Sequence, residues 1–160
     1  MVSESKRVLH ICGGYSKQKL YSELFSTIYE LGCKQTVYVP VRSAKELSVP
    51  GPSNSEIDYY PSYVLRKYHR IFYRTKIRSV TRDLLSLVEL SRVGLVHAHT
   101  LFSDGGVAYQ LHQRFGIPYI VAVRNTDINA FMRLRPDLRP KMYKIAKSAS
   151  NLIFISPSLS

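Results

Sequence analysis

The sequence predicts an α/β protein: a Rossmann-like, doubly wound, mostly parallel sheet with helices on both faces. Two observations carry this prediction. Short apolar segments rich in β-branched residues alternate with segments whose apolar residues recur every three or four positions. The first forty residues also have the pattern of a complete strand–turn–helix–strand unit. At 160 residues the chain has the size of one domain, and we expect residues 1–160 to form a single unit.

The first unit is the most regular part of the pattern. Residues 7–12 form an apolar strand, which the glycines at 13–14 end. Apolar residues then recur at helical spacing over residues 20–31, and Gly32 stands where a helix commonly ends. Residues 34–41 are rich in β-branched residues and form the next strand.

The alternation continues after a loop region rich in Pro, Ser and Gly. Residues 42–62 form this loop, with a short strand near 57–60, and the periodicity over 63–90 predicts two consecutive helices. Further strands are expected at 93–98, 119–123 and 152–155, and further helices begin near Asp104, Asp127 and Pro140.

Composition bounds the function classes. Twenty-three Lys and Arg against eleven Asp and Glu leave a net charge of +12, which favours anionic partners. No apolar run reaches the ~18 to 20 residues of a membrane helix, and the amino terminus leads directly into a strand without a recognisable signal peptide. Cys12 and Cys33 are isolated and apolar in context, so we interpret both as reduced core residues of a cytoplasmic protein.

Candidate sites lie where strands end, because ligands of open α/β sheets bind at the carboxyl ends of the strands. Four loops qualify by position: residues 13–14, 97–106 and 124–127, and Ser156.

The two histidines of the second loop lie two apart, so their side chains share one face of a strand. A zinc site needs a third ligand, and Asp104 is the one nearby candidate, although it also suits a helix cap. No metal is therefore expected. We interpret His97 as a half-buried supporting residue and His99, at the strand tip, as the functional one.

The other loops leave two interpretations each. Gly13 and Gly14 let a backbone approach a phosphate or sugar, or simply form a tight turn; the spacing matches neither dinucleotide nor P-loop motifs. Arg124 could hold a phosphate or carboxylate by forked hydrogen bonds, or pair with Asp127, which could cap the following helix.

The segment from Tyr59 to Arg82 contains no acidic residue and interleaves cations with aromatics. Three alternatives are open for it: an anionic membrane surface, a solvated helix face, or nucleic acid. We favour the membrane, at ~1 kcal/mol per basic residue near an anionic bilayer, and expect no nucleic acid because no recognition motif is present. The membrane-surface candidates are Arg66, Lys67, Arg70, Arg74, Lys76 and Arg78.

In their order and spacing, these segments resemble the amino-terminal half of GT-B glycosyltransferases, in particular glycosyltransferase family 4. The resemblance rests on the VLHI strand with its glycine loop, on VHAHTLFSDGG, on GIPYIVAVRNTDI and on LIFISPSLS. It spans nearly the whole chain and is weakest over residues 42–90.

The resemblance implies retaining transfer of a sugar from a nucleotide-sugar to a glycan or lipid-linked acceptor, as in surface polysaccharide synthesis. It implies that His99 matches the active-site histidine, that Gly13 and Gly14 approach the donor phosphates, and that Asp104 and Arg124 line the same cleft. The candidate substrate-binding residues are Gly13, Gly14, Asp104, Arg124 and Asp127. No metal or other cofactor is implied. The donor would bind mainly through a carboxyl-terminal domain that this chain lacks, so the chain alone is expected to be inactive.

Two departures from the family pattern stand out. Arg124 and Asn125 replace the more common His and Gly, and no two glutamates lie eight apart, as the donor-binding E-x7-E motif requires. The alternative function is a stand-alone Rossmann-like module that binds nucleotides or nucleic acid without catalysis. The expected location is cytoplasmic, with peripheral attachment to the inner face of the cell membrane.

Overall fold

A computed structural model describes residues 6–17 and 19–154 and shows one six-stranded sheet in which all neighbouring strands are parallel. The spatial order is β3-β2-β1-β4-β5-β6, the order of a doubly wound Rossmann sheet. The predicted fold class is confirmed. The strands are β1 (Arg7–Ile11), β2 (Gln35–Pro40), β3 (Asp58–Ser62), β4 (Val93–Ala98), β5 (Tyr119–Val123) and β6 (Asn151–Phe154).

Helices connect successive strands except β2 and β3, which a loop with a 3-10 turn at Ala44–Ser48 joins. Gly32 and Gly116 follow two of the helices with left-handed φ values of 82° and 69°, and the first confirms the helix end predicted at Gly32. A single π-helical turn, Asp127–Phe131, leads into the short fourth helix. The helices are α1 (Leu20–Glu30), α2 (Tyr73–Leu87), α3 (Asp104–Phe115), α4 (Met132–Leu134) and α5 (Arg139–Ser148).

Each face of the sheet has its own apolar core, because successive side chains of a strand point to opposite faces. On one face, Tyr21 and Phe25 of α1 pack with Cys12, Val37 and Val39. On the other, alternate strand residues pack against α2, α3 and α5; they include Leu9, Ile11, Val96 and Val121. Helices thus cover both faces, as predicted.

Two local expectations are wrong. The segment before α2 is not a full helix but a single 3-10 turn at Lys67–Arg70, and the expected apolar stripe there is exposed: Tyr68 is 50% and Ile71 68% exposed. Cys33 is also exposed, because it follows the glycine turn after α1, whereas Cys12 is buried. Among the described residues, no helix has both the length and the apolar character that crossing a bilayer requires.

Candidate functional site

The centre of the site is the gap between β1 and β4. The strand order reverses here, because β1 is followed in space by β2 on one side and by β4 on the other. The loops leaving the two strands therefore diverge and leave a crevice at the carboxyl edge of the sheet. A cleft of about 230 Å³ occupies this position, and Gly13, Gly14, Thr100, Ser103 and Asp104 contribute to its lining.

Asp104 joins the two loops. It is the first residue of α3 but does not cap that helix, which corrects the cap expectation. Instead its Oδ1 accepts the backbone N–H of Gly13 at 3.4 Å, while its own N–H donates to Thr100 Oγ1 at 3.2 Å. The side chain is 2% exposed, and its Oδ2 has no hydrogen-bond partner among the described residues.

Lys76 also belongs to the cleft. It was predicted to lie on the membrane surface, but it is only 7% exposed, so that assignment is wrong. Its position on α2, three residues after Tyr73 and four before Val80, places it on the buried stripe of the helix. The ammonium group donates to Ser103 Oγ and lines the cleft.

Burial shifts the pKa values of Asp104 and Lys76 in opposite directions. Desolvation raises the pKa of Asp104 above its ordinary range, and the charge of Lys76 opposes that rise. Desolvation lowers the pKa of Lys76, and the charge of Asp104 opposes that fall. With Arg42 and Lys17 also in the lining, the cleft offers cations and a carboxyl group to a polar or anionic ligand.

His99 follows β4 but lies behind the cleft wall. It is 3% exposed and packs edge-on against Tyr21 and Phe25, with ring centroids 5.3 and 5.5 Å away. Its backbone N–H donates to Ile11 O at 3.1 Å, which ties β4 to the end of β1. Burial, together with the nearby His97, His10 and Arg124, lowers its pKa well below the ordinary histidine value.

His10 is a site residue that sequence reasoning missed. It lies opposite His97 in the β1–β4 register, on the same sheet face, and its Nδ1 is 3.1 Å from His99 Nε2. The third partner of the two predicted histidines is thus His10 rather than Asp104. One ring nitrogen from each of the three lies within 4.8 Å of the others, so this cluster could hold a metal ion.

The supporting role expected for His97 is only partly matched. Its ring lies 4.1 Å from that of His99 and is 9% exposed, but its Nε2 is buried without a hydrogen-bond partner among the described residues. Burial lowers the pKa of His97 to about 4 and that of His10 to about 3. All three imidazoles are therefore neutral near pH 7.

Arg124 closes the site from the β5 side. Its guanidinium donates to Tyr21 Oη and lies 5.1 Å from the centre of that ring. Arg124 and Tyr21 therefore form a cover over His99. Arg124 is not among the described residues that line the cleft, so the expectation that it lines the cleft together with Asp104 is not met.

Asp127 has a different role from the predicted helix cap. It is fully buried, and its carboxylate accepts backbone N–H groups from Leu101 (3.1 Å), Phe102 (3.1 Å) and Arg124 (3.0 Å). Desolvation raises its pKa, and these three N–H donors oppose the rise. Asp127 thus fixes the loop after β4 to the loop after β5. The fourth candidate position, Ser156, lies outside the described residues.

The basic segment borders the cleft. Arg66, Lys67 and Arg70 are exposed in the loop between β3 and α2, and Arg74 and Arg78 are exposed on α2. Large exposed apolar side chains accompany them, namely Tyr63 at 41%, Tyr68 at 50%, Ile71 at 68% and Phe72 at 58%.

Comparisons with known proteins identify the fold alone. No family model and no curated protein matches the chain. Among solved structures, a sucrose-phosphate synthase from Thermosynechococcus elongatus is similar with a TM-score of 0.69 over 96% of this chain and 78% of that one, at 14% sequence identity. At this identity the likeness concerns architecture. The chain therefore has the Rossmann-like α/β fold found in a GT-B glycosyltransferase.

Proposed function

We propose that this domain is the acceptor-binding half of a retaining glycosyltransferase, which transfers a sugar from a nucleotide-sugar to a glycan or lipid-linked acceptor in surface polysaccharide synthesis. The observation that carries the proposal is the cleft at the β1–β4 switch point, where Gly13, Asp104 and Lys76 converge. The likeness in fold to a sucrose-phosphate synthase supports the reaction class.

The charges of the cleft suit this chemistry. Sugar transfer from a nucleotide-sugar releases a diphosphate and passes through an oxocarbenium-like centre, so the site must stabilise both negative and positive charge. Lys76 and the positive end of the dipole of the 12-residue α3, which begins at Asp104, supply positive potential for a phosphate. Asp104 offers a buried carboxyl group beside them.

We assign His99 to the reacting sugar, as a neutral hydrogen-bonding group. Its burial behind Tyr21 and Arg124 means that contact with a sugar requires this cover to move. Gly13, Gly14 and Asp104 would then hold the donor and acceptor at the cleft, and Arg124 would be released toward a phosphate. No metal and no other cofactor takes part in the proposed transfer.

The test uses the product of the complete gene. Sugar transfer is assayed with a panel of UDP- and GDP-sugars, with the wild type compared against His99→Ala, and His112→Ala as the matched control. His112 is half-buried on α3 and remote from the cleft. We expect at least ~100-fold loss of turnover in His99→Ala and none in His112→Ala, as for loss of a group acting in the transition state. Equal turnover of the two variants would refute the role of His99.

We further propose that the exposed basic loop docks this protein on the cytoplasmic, anionic face of the cell membrane. Arg66, Lys67 and Arg70 lie beside Ile71 and Phe72, so one surface combines cations with exposed apolar side chains. Such a surface binds through charge and through apolar burial at the headgroups. Its position next to the cleft would bring a lipid-linked acceptor to the site.

Co-sedimentation with liposomes tests the docking. Wild type is expected to bind vesicles that contain phosphatidylglycerol and to be released by salt. Charge reversal to Glu at Arg66, Lys67 and Arg70 should abolish binding. The matched control reverses three cations at the opposite edge of the sheet, Lys34, Arg114 and Lys147, and should retain most of it. Binding that follows net charge alone, equal in the two triple variants, would contradict a defined docking face.

A further inference from the structure

Three histidines form a buried cluster under α1. His10 comes from β1, and His97 and His99 come from the end of β4, so two adjacent central strands supply all three rings. Phe25 of α1 covers the cluster, with its ring 4.6 Å from that of His10. The proposed sugar transfer uses only His99, and packing alone does not explain why His10 and His97 are also imidazoles.

The hydrogen bonding of the cluster is incomplete. His10 Nδ1 and His99 Nε2 are 3.1 Å apart and share one hydrogen bond. His97 Nε2 is buried with no hydrogen-bond partner among the described residues. A buried polar nitrogen without a partner costs about 1 to 3 kcal/mol. Such a cost is ordinarily offset by a ligand or retained for function.

We propose that His10, His97 and His99 bind a divalent transition-metal ion of Zn²⁺ type through one ring nitrogen each. Two nitrogens bound to one tetrahedral ion at ~2.0 to 2.1 Å lie ~3.3 Å apart, close to the 3.1 Å between His10 and His99. The full set lies within 4.8 Å, so side-chain movements of about 1 to 2 Å complete the site.

The surroundings supply what metal-bound histidines require. A metal-bound imidazole usually donates its second N–H to an oxygen atom. Gln35 lies beside His10 on β2, and its Oε1 is buried without a partner in the described structure. When His10 Nδ1 binds the ion, its Nε2 carries the proton, and the Gln35 side chain beside it offers an acceptor oxygen. The Nε2 of Gln35 is fixed by a 2.8 Å bond to Phe25 O.

The ligand set selects the class of ion. Three neutral imidazoles suit Zn²⁺, Co²⁺, Ni²⁺ or Cu²⁺ and disfavour Mg²⁺ and Ca²⁺, which prefer oxygen ligands. Three protein ligands leave a fourth position for water or a small ligand. Ion binding at this place holds the ends of β1 and β4 together behind the cleft.

Titration of the untagged, EDTA-treated protein with Zn²⁺ in a calorimeter tests the proposal. We expect binding of one ion per chain, and Co²⁺ should give the intense visible absorption of a tetrahedral nitrogen site. Mg²⁺ should not bind. His97→Ala should weaken Zn²⁺ at least ~10-fold. His112→Ala, which removes a histidine from α3, should leave affinity and stoichiometry unchanged.

The measured quantity is metal affinity and not sugar transfer, so the metal site and the proposed sugar transfer can each be refuted without the other. Absence of one-to-one binding by wild type would overturn the metal site. So would Zn²⁺ affinity that persists in His97→Ala or disappears in His112→Ala. His97 is the most exposed of the three histidines, so we expect His97→Ala to fold. If circular dichroism shows that it does not, the Zn²⁺ affinity of His97→Gln and the Co²⁺ spectrum of the wild type test the metal site instead.

Discussion

Asp104 and Gly13 connect the two loops that form the cleft. The backbone N–H of Gly13 donates to Asp104 Oδ1 at 3.4 Å, across a chain separation of 91 residues. A Cβ at Gly13 would lie 3.2 Å from that oxygen and 3.8 Å from Pro40. The close approach of the loop after β1 to the start of α3 therefore depends on the missing side chain of Gly13.

The two glycines of this loop should consequently tolerate alanine differently. Gly13→Ala forces the buried carboxylate to shift and should lower the free energy of unfolding by about 1 kcal/mol or more. In Gly14→Ala the new Cβ is 3.7 Å from Tyr21, an ordinary contact, and stability should change by less than about 0.5 kcal/mol. Urea denaturation of both variants checks this. Equal effects would contradict the tight contact at Gly13.

Asp127→Asn should be among the most destabilising single polar substitutions at the site. Asp127 Oδ1 accepts from Phe102, and Oδ2 accepts from Leu101 and Arg124. An amide replaces one oxygen with a donor that faces backbone N–H groups, so we expect a loss of about 3 kcal/mol in urea denaturation.

The matched control for Asp127 is Asp137→Asn. Asp137 pairs with Arg135 at 2.9 Å but its side chain is 57% exposed, so its removal should leave the unfolding midpoint unchanged within error. If both variants unfold at the wild-type midpoint, the three hydrogen bonds of Asp127 do not stabilise the loops.

The fold could be predicted because its signals are local. Apolar runs, helical periodicity and Gly32 are each read within about ten residues, and a parallel sheet follows from their alternation. The predicted helix before α2 fails for a physical reason. The side chain of His69 accepts the Arg66 N–H at 3.1 Å and favours a single 3-10 turn, and Ile71 then faces solvent.

The site was harder to predict because it depends on which strands are neighbours. The spacing of His97 and His99 predicts that they share one face of a strand. The third histidine of the cluster is His10, which precedes them by 87 and 89 residues along the chain. No pattern within a short stretch of sequence indicates that β1 and β4 are neighbours in the sheet. Lys76 is different. Its spacing from Tyr73 and Val80 already placed it on the buried stripe of α2, although its charge suggested the surface.

We expect the free energy of unfolding to decrease at acidic pH, in part because of His69. This side chain is 2% exposed, and burial together with the charges of Lys76, Arg42 and Arg66 lowers its pKa below 6.5. As the pH falls through about 6.5, His69 therefore becomes protonated in the unfolded chain while it stays neutral in the folded chain. The free energy of unfolding decreases as pH falls below this value, by up to ~1.4 kcal/mol per pH unit for one group.

His69→Asn isolates this contribution. The Asn side chain can still accept the Arg66 N–H but does not titrate. Urea denaturation at pH 7.5, 6.5 and 5.5 should show a smaller loss of stability on acidification in the variant than in wild type. Parallel losses would mean that His69 does not resist protonation in the folded state.

Tyr21 should control access to His99. Its hydroxyl accepts from Arg124, and its ring lies edge-on to the His99 ring at 5.3 Å. Tyr21→Ala removes both contacts, so His99 should react several-fold faster with diethylpyrocarbonate, measured peptide by peptide by mass spectrometry. Tyr29→Ala is the matched control, because Tyr29 lies on the same helix and its hydroxyl donates to Glu56, away from the histidines.

The two tyrosine variants separate burial of His99 by a movable cover from burial by the core as a whole. A movable cover predicts faster modification in Tyr21→Ala with far-UV circular dichroism and unfolding midpoint close to those of Tyr29→Ala. If His99 reacts no faster in Tyr21→Ala, the ring is enclosed by Phe25 and the strands themselves. A direct contact between His99 and a sugar would then require the sheet to open, which a packed core does not permit.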